Sequence, residues 1–451
     1  MGKNVSLTAA CLAGALMAVA VIPSVADEQF APTAVVQLPN GQVLSAFDIS
    51  FVSDRTLAVS ASRVVGSGGA FGTVIVADTN TNVVTKELGV GQFVGDCSVP
   101  PARDTMSGPN GVIIIEKGAN ADVWAGDGPV FNTNCVAASG LKTPSGVKVF
   151  DLRTGALKAS IPVGNGQPGT VGQRRADELC YNPKSDVVLI ANDDPLDNFI
   201  TFIGEDSLQI LQHIRFDGTD ANGLNLLANG IEQCQFNPGD GKFYINLPNT
   251  GPATATPPGA GVVLRISGEA PFHVEAIVSD FRSTTGPLAS TGCGGASGLT
   301  IGSDHQIGLA CGGANALVID DRTGNPVNGG VLTGEGGADE VWFNPGDNHY
   351  FFGRTTAAVL GVADAGPPPS VDASAPTGPG SHSVAADPRK NEVYVPIRGN
   401  NGTVPPATGA GAGAICSTVK DTSGNAGSDA LGCIAIYTAP RDHDDHGGGR
   451  R

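Results

Sequence analysis

Four times along this chain an apolar strand runs into an Asn-Pro or Asp-Pro step, crosses a polar turn and re-enters a second strand. Tyr181-Asn182-Pro183 precedes 187–191, and Phe236-Asn237-Pro238 precedes 242–246. Phe343-Asn344-Pro345 precedes 349–352, and Ala386-Asp387-Pro388 precedes 392–396. A second signature, an apolar strand followed by Asp-x-x-Thr and then Gly or Asn, occurs at 147–151 with Thr154-Gly155. It recurs at 317–320 with Thr323-Gly324 and at 74–78 with Thr81-Asn82. Pro and Asn preset the first turn, and Gly or Asn tolerates the positive φ of the second, so both read as tight hairpins. Helical periodicity is nearly absent. Joined, the two hairpins make a four-stranded unit, and its repetition over this length predicts an all-β, seven-bladed β-propeller.

Aligning the first strands places seven starts at Asp48, Asn110, Asp177, Glu232, Ser297, Asp339 and His382. Their spacing is uneven because the chain carries 64 Gly and 31 Pro, many of them in insertions at 97–109, 126–145 and 251–261. The seventh unit has only three strands of its own, ending at 433–438. The apolar segment 33–39 has no unit to join. Pairing the two would complete the last blade and remove an exposed edge. No linker interrupts the ring, so 27–440 reads as one domain, with 441–451 outside it and expected to be disordered.

Residues 1–26 read as a signal peptide: Lys3, an apolar run from Leu7 to Ile22, then Ser24-Val25-Ala26 as a small-residue cleavage pattern. An exported protein, periplasmic or extracellular, is expected. No other segment is long and apolar enough to span a bilayer. Eight of the nine cysteines remain after cleavage, and an exported chain turns an even set into disulfides. The preferred pairs are Cys97–Cys135, Cys293–Cys311 and Cys416–Cys433, each pinning a loop. Cys180–Cys234 then links neighbouring units.

The chain resembles the YVTN/NHL-type seven-bladed propellers, a group that includes lactonase-like proteins. The likeness rests on Ser381-His382-Ser383-Val384-Ala385-Ala386-Asp387-Pro388 followed by Glu392-Val393-Tyr394-Val395, and on the Asp-x-x-Thr-Gly turns. It spans nearly the whole of 27–440 and implies the fold; the superfamily ranges from lactonases and metal-dependent hydrolases to electron-transfer partners and pure binding scaffolds.

First strands of a propeller line its central channel. The column Asp48, Asn110, Asp177, Glu232, Ser297, Asp339 and His382 therefore falls where each chain enters that channel. Alternation along a strand would point this column one way and the next the other, and Glu178, Gln233 and Glu340 of the next column are, with Ser297, further candidates at the channel mouth. Carboxylates gathered at one mouth repel unless something neutralises them. A bound cation held by Asp48, Asn110, Asp177, Glu232 and Asp339 would do so: Ca²⁺ or Mg²⁺ from the oxygen-rich set, Mn²⁺ or Zn²⁺ if His382 joins. In a catalytic version His382 is the general base and Asp339 orients it.

Composition narrows the partners. With 43 Asp+Glu against 26 Lys+Arg the chain carries a net charge of −17, the wrong sign for a phosphate backbone, so no nucleic acid is expected. No Gly-rich turn opens a helix, so no nucleotide is expected, and a c-type haem attachment sequence is missing. The expectation is a monomeric binding module for a small-molecule ligand, an ion or a partner protein. A divalent-metal-dependent hydrolase, or a surface protein with an empty pore, are the alternatives.

Overall fold

The computed structural model describes residues 30–95, 107–118, 120–129, 144–164, 175–193, 198–218, 224, 226–251, 260–355, 357–378, 380–399 and 414–439. The expected signal peptide, the tail 441–451 and the Cys97–Cys135 pair lie outside them.

Among the described residues the strands form seven antiparallel sheets of four strands, two of them with a short extra strand. This is the seven-bladed propeller. The innermost strands are Ser50–Ser53, Val112–Lys117, Ala176–Asn182, Cys234–Asn237, Ala296–Ile301, Val341–Asn344 and Ala385–Asp387, here blades 1 to 7. Each starts within three residues of the expected position. Blade 7 closes as its sequence requires: Ala31–Val36 pairs antiparallel with Gly432–Thr438, from Ala31 opposite Thr438 to Val36 opposite Ile434.

The turn chemistry is built from the side chains that announced it. In all four Asn/Asp-Pro hairpins the carboxyl or amide oxygen accepts the backbone N–H two residues on. The distances are 2.8 Å at Asn182, 2.8 Å at Asn237, 3.0 Å at Asn344 and 2.9 Å at Asp387. The same residues reach forward to the next blade. The Asn182 amide donates to the Gly268 carbonyl, that of Asn237 to the Asp321 carboxylate and that of Asn344 to Asn391. Thr79 donates to Asp387 across the closing seam. In the second hairpin Asp78, Asp151 and Asp320 accept the N–H of the Thr three places on, and Asn82, Gly155 and Gly324 take positive φ of 56°, 75° and 67°.

Cys180–Cys234 joins the inner strands of blades 3 and 4, Cys293–Cys311 ties an incoming loop to blade 5, and Cys416–Cys433 anchors the short helix Ile415–Thr418 to blade 7. Bridges of this kind are consistent with an oxidising, extracytoplasmic compartment. No described helix is long and apolar enough to cross a membrane.

The closing strand is also fastened sideways. Phe30, buried, sets its ring edge-on to Phe351 at 5.1 Å and to His349 at 5.4 Å, both in blade 6. Truncating a buried Phe removes apolar contact and leaves a cavity. Phe30→Ala is expected to cost about 3 kcal/mol in urea unfolding; a change below about 0.5 kcal/mol would mean that the closing strand does not depend on this contact.

His349 holds its Nδ1 2.8 Å from the Asp347 carbonyl and its Nε2 3.1 Å from Asp372. Burial opposes its charge, but the Asp347 hydrogen bond and the Asp347 and Asp372 charges win and raise its pKa to about 9. A raised folded-state pKa stabilises fully below the unfolded value near 6.5, and that stabilisation fades as pH climbs through 9. The Tm of the wild type should therefore fall between pH 7 and 9.5 relative to that of His349→Gln. Parallel curves would contradict it.

Candidate functional site at the channel mouth

Propeller strands reach the mouth through a repeated irregularity. In blades 1, 2, 4 and 6 two successive residues of the entering chain face one residue of the second strand. Asp48 N–H donates to Ser60 O at 3.0 Å, while Ser60 N–H donates to Ile49 O at 2.9 Å. Asn110 and Gly111 share Gly126 in the same way, Glu232 and Gln233 share Asn246, and Asp339 and Glu340 share Gly353. Blades 3 and 5 show the matching register shifts, between Ala176 and Leu179 and between Ala296 and Gly298. A two-for-one bulge breaks strict alternation and re-aims side chains.

The shared residues are small, or bonded onward, because the next blade presses on them. A Cβ at Gly126 would lie 2.3 Å from Ala176 O, and one at Gly353 would lie 2.2 Å from His382 O. Asn246 instead donates its amide to Ser297 O at 2.9 Å.

The result is a cavity of about 720 Å³ at the mouth. All seven column residues line it, one from each blade: Asp48, Asn110, Asp177, Glu232, Ser297, Asp339 and His382. Glu178 and Glu340 line it too, although strict alternation would turn their column away from that of Asp48. Gln233 does not. It lies deeper, where its side-chain oxygen accepts the Leu299 N–H of blade 5 at 2.8 Å.

Arg175 was missed by sequence reasoning. Its Nη2 lies 2.7 Å from Asp177 Oδ2, its Nη1 3.5 Å from Asp48 Oδ2 and its Nε 3.6 Å from Asp193 Oδ2. The 2.7 Å contact is ionic rather than a directed hydrogen bond, since Asp177 Oδ2 has no aligned donor. Arg175 stands two residues before Asp177, the spacing at which neighbours in an extended chain share a face, and that signal was available. The chain thus brings its own cation to two of the five residues expected to hold a metal. A third, Asn110, donates its amide to the Ser107 and Ala176 carbonyls. Among the described residues no three His, Cys, Asp or Glu side chains form a group able to hold a metal ion.

His382 is fixed on three sides. Its Nδ1 donates to the Gly380 carbonyl at 2.8 Å, its ring stacks on Phe47 at 5.0 Å, and its Nε2 lies 3.6 Å from Asp48 Oδ1. Asp48, across the closing seam, is therefore the carboxylate facing the imidazole, where Asp339 was expected; Asp339 acts on it through charge. Burial disfavours the imidazolium, but contact with Asp48 and the charge of Asp339 raise the His382 pKa.

Two other guanidinium groups, of Arg63 and Arg398, also line the cavity, yet six carboxyl groups face these three. The imbalance shows in their titration. Glu178 is pushed well above the ordinary range by burial and by the Asp177, Asp48 and Asp339 charges. Glu232 follows by burial and the Asp193 and Asp177 charges, and Glu340 by burial and the charges of Glu178 and Asp339. Glu340 accepts from Ser383 through one oxygen at 3.1 Å, and Ser383 is paired with Ser50 at 2.7 Å. Its other oxygen, Oε1, is buried without a partner among the described residues.

Below the mouth, toward the Asn-Pro turns, lies a second cavity of about 350 Å³. Its walls are mostly apolar and include Phe51, Tyr181, Phe236 and Trp342. Phe51 of blade 1 and Trp342 of blade 6 meet there edge to face at 5.5 Å.

No family model matches the chain, and no curated protein matches it. Among solved structures, a chain in "Crystal Structure of Mitotic Checkpoint Complex" is similar with a TM-score of 0.45 and 10% identity. That match covers 88% of this chain and 96% of that one.

Arg175→Met should expose how far the site depends on its internal cation. Removing one partner of a buried ion pair costs about 3–5 kcal/mol. The loss should be larger at pH 8 than at pH 5, because protonation relieves carboxylates that have lost their counter-charge. A loss independent of pH in paired thermal melts would show that the guanidinium matters only for packing.

Proposed function

We propose that this chain is an exported binding module of YVTN/NHL-type kinship whose channel mouth takes a small, positively charged ligand. The single observation that carries the reading is the surplus of carboxyl groups over guanidinium groups in one polar cavity. Ligand pockets of roughly 300–1,000 Å³ with a few convergent polar groups suit small molecules. The low-dielectric walls magnify the attraction for a cation. The unpartnered Glu340 Oε1 supplies an acceptor with no other use. His382 fits this reading better than catalysis. With Nδ1 committed to Gly380 and Nε2 turned to Asp48 both ring nitrogens are engaged, whereas a general base needs a free lone pair.

Titration calorimetry of the full chain with ethylamine, Ca²⁺ and Mg²⁺ tests this. Burial and mutual repulsion raise these carboxyl pKa values and so oppose ionisation, and a cation binds the ionised form. Binding should therefore release protons, and affinity should rise at least tenfold from pH 5.5 to pH 8. Glu232→Gln and Asp339→Asn should each weaken binding several-fold. No heat from any of the three cations, or an affinity flat across that pH range, would end the proposal.

A further inference from the structure

The two cavities share a boundary, and the residues at that boundary point to a ligand class. Ile49 and Glu178 line both, so Glu178 is the carboxyl group facing the polar mouth and the apolar chamber together. Glu340 stands opposite in blade 6. It is 2% exposed, its Oε2 is held by Ser383, and its Oε1 has no partner. Two residues further along the same chain Trp342 forms a wall of the chamber, its buried Nε1 also unpartnered. Acceptors thus stand above an aromatic-walled space of about 350 Å³.

We propose that the ligand is an amine with a flat apolar body, its ammonium held between Glu178 and Glu340 and its body in the chamber walled by Phe51, Tyr181, Phe236 and Trp342. An ammonium brings three donors to carboxyl oxygens that have no other donor on one side. Aromatic walls favour a flat apolar group through edge and offset contacts, and their faces attract the adjoining positive charge. A bare metal ion would leave the chamber unfilled, and a polyol would bury hydroxyls against apolar walls. This inference rests on the cation-binding reading of the mouth and specifies its ligand.

The experiment compares phenethylamine, ethylamine and 2-phenylethanol on the full chain by calorimetry. Quenching of Trp342 fluorescence gives a second readout; Trp124, the other tryptophan, is fully buried elsewhere. Phenethylamine is expected to bind at least tenfold more tightly than ethylamine, and 2-phenylethanol at least tenfold more weakly than phenethylamine. Trp342→Ala should bring the phenethylamine-to-ethylamine affinity ratio toward one, and the milder Phe236→Leu should lower the same ratio if the first variant folds poorly. Glu178→Gln should weaken both amines. If ethylamine or Ca²⁺ binds and phenethylamine gains nothing, the amine inference is overturned while the cationic mouth stands. If no cation binds, both fall.

Discussion

One residue of the second strand serving two of the first is the constraint on which the site depends. A regular ladder would send alternate side chains of each inner strand to opposite faces. The bulge puts Asp177 with Glu178, and Asp339 with Glu340, into the same space. It also narrows the hub: Gly126 and Gly353, each facing a bulged pair, are where the next blade's backbone approaches too closely for any Cβ. Polar crowding at the mouth and tight packing of successive blades therefore share one cause.

The crowding would be untenable without Arg175 and the shelter of a cavity open to water. Asp48 shows the balance. Burial raises its pKa, yet contact with His382 and the charges of Arg175, His382 and Arg398 outweigh burial and hold it below the ordinary value. Glu178 and Glu340 go the other way, because burial and neighbouring carboxylates outweigh any compensation there. Compensation is thus local: it reaches Asp48 at the seam between blades 1 and 7, while Asp177, Glu232 and Asp339 of the same column are pushed up, as are Glu178 and Glu340 on the floor. Beneath the floor the polarity ends at aromatic rings.

What the sequence revealed was what neighbours in the chain decide. Asn182, Asn237, Asn344 and Asp387 fold their own turns, so those hairpins were legible; counting back from them located Asp177, Glu232, Asp339 and His382, and the repeat pattern extended the column to Asp48, Asn110 and Ser297. The closing strand was legible because the apolar segment 33–39 had no unit of its own; the observed strand is Ala31–Val36. The bulge was hidden, since it is a property of pairing between two strands rather than of either. Gln233 was misplaced for that reason, its oxygen being committed to a backbone N–H in the next blade. Asp48 as the partner of His382 was also hidden, because the two meet across the seam joining opposite ends of the sequence. Arg175 differs: it was readable from its period-two spacing to Asp177, but it lies outside the column that the repeat alignment defines.

The same seam sets an order of events in time. A ribosome releases Ala31–Val36 early, but the segment that hydrogen-bonds to it, Gly432–Thr438, emerges some 400 residues later. Until then six blades can stack with an open flank at either side, each flank a template for stray strands. The Asn–Pro turns, each capped by its own side chain and reaching for the neighbour ahead, can order the stack in the direction of synthesis while the ring waits for its latch.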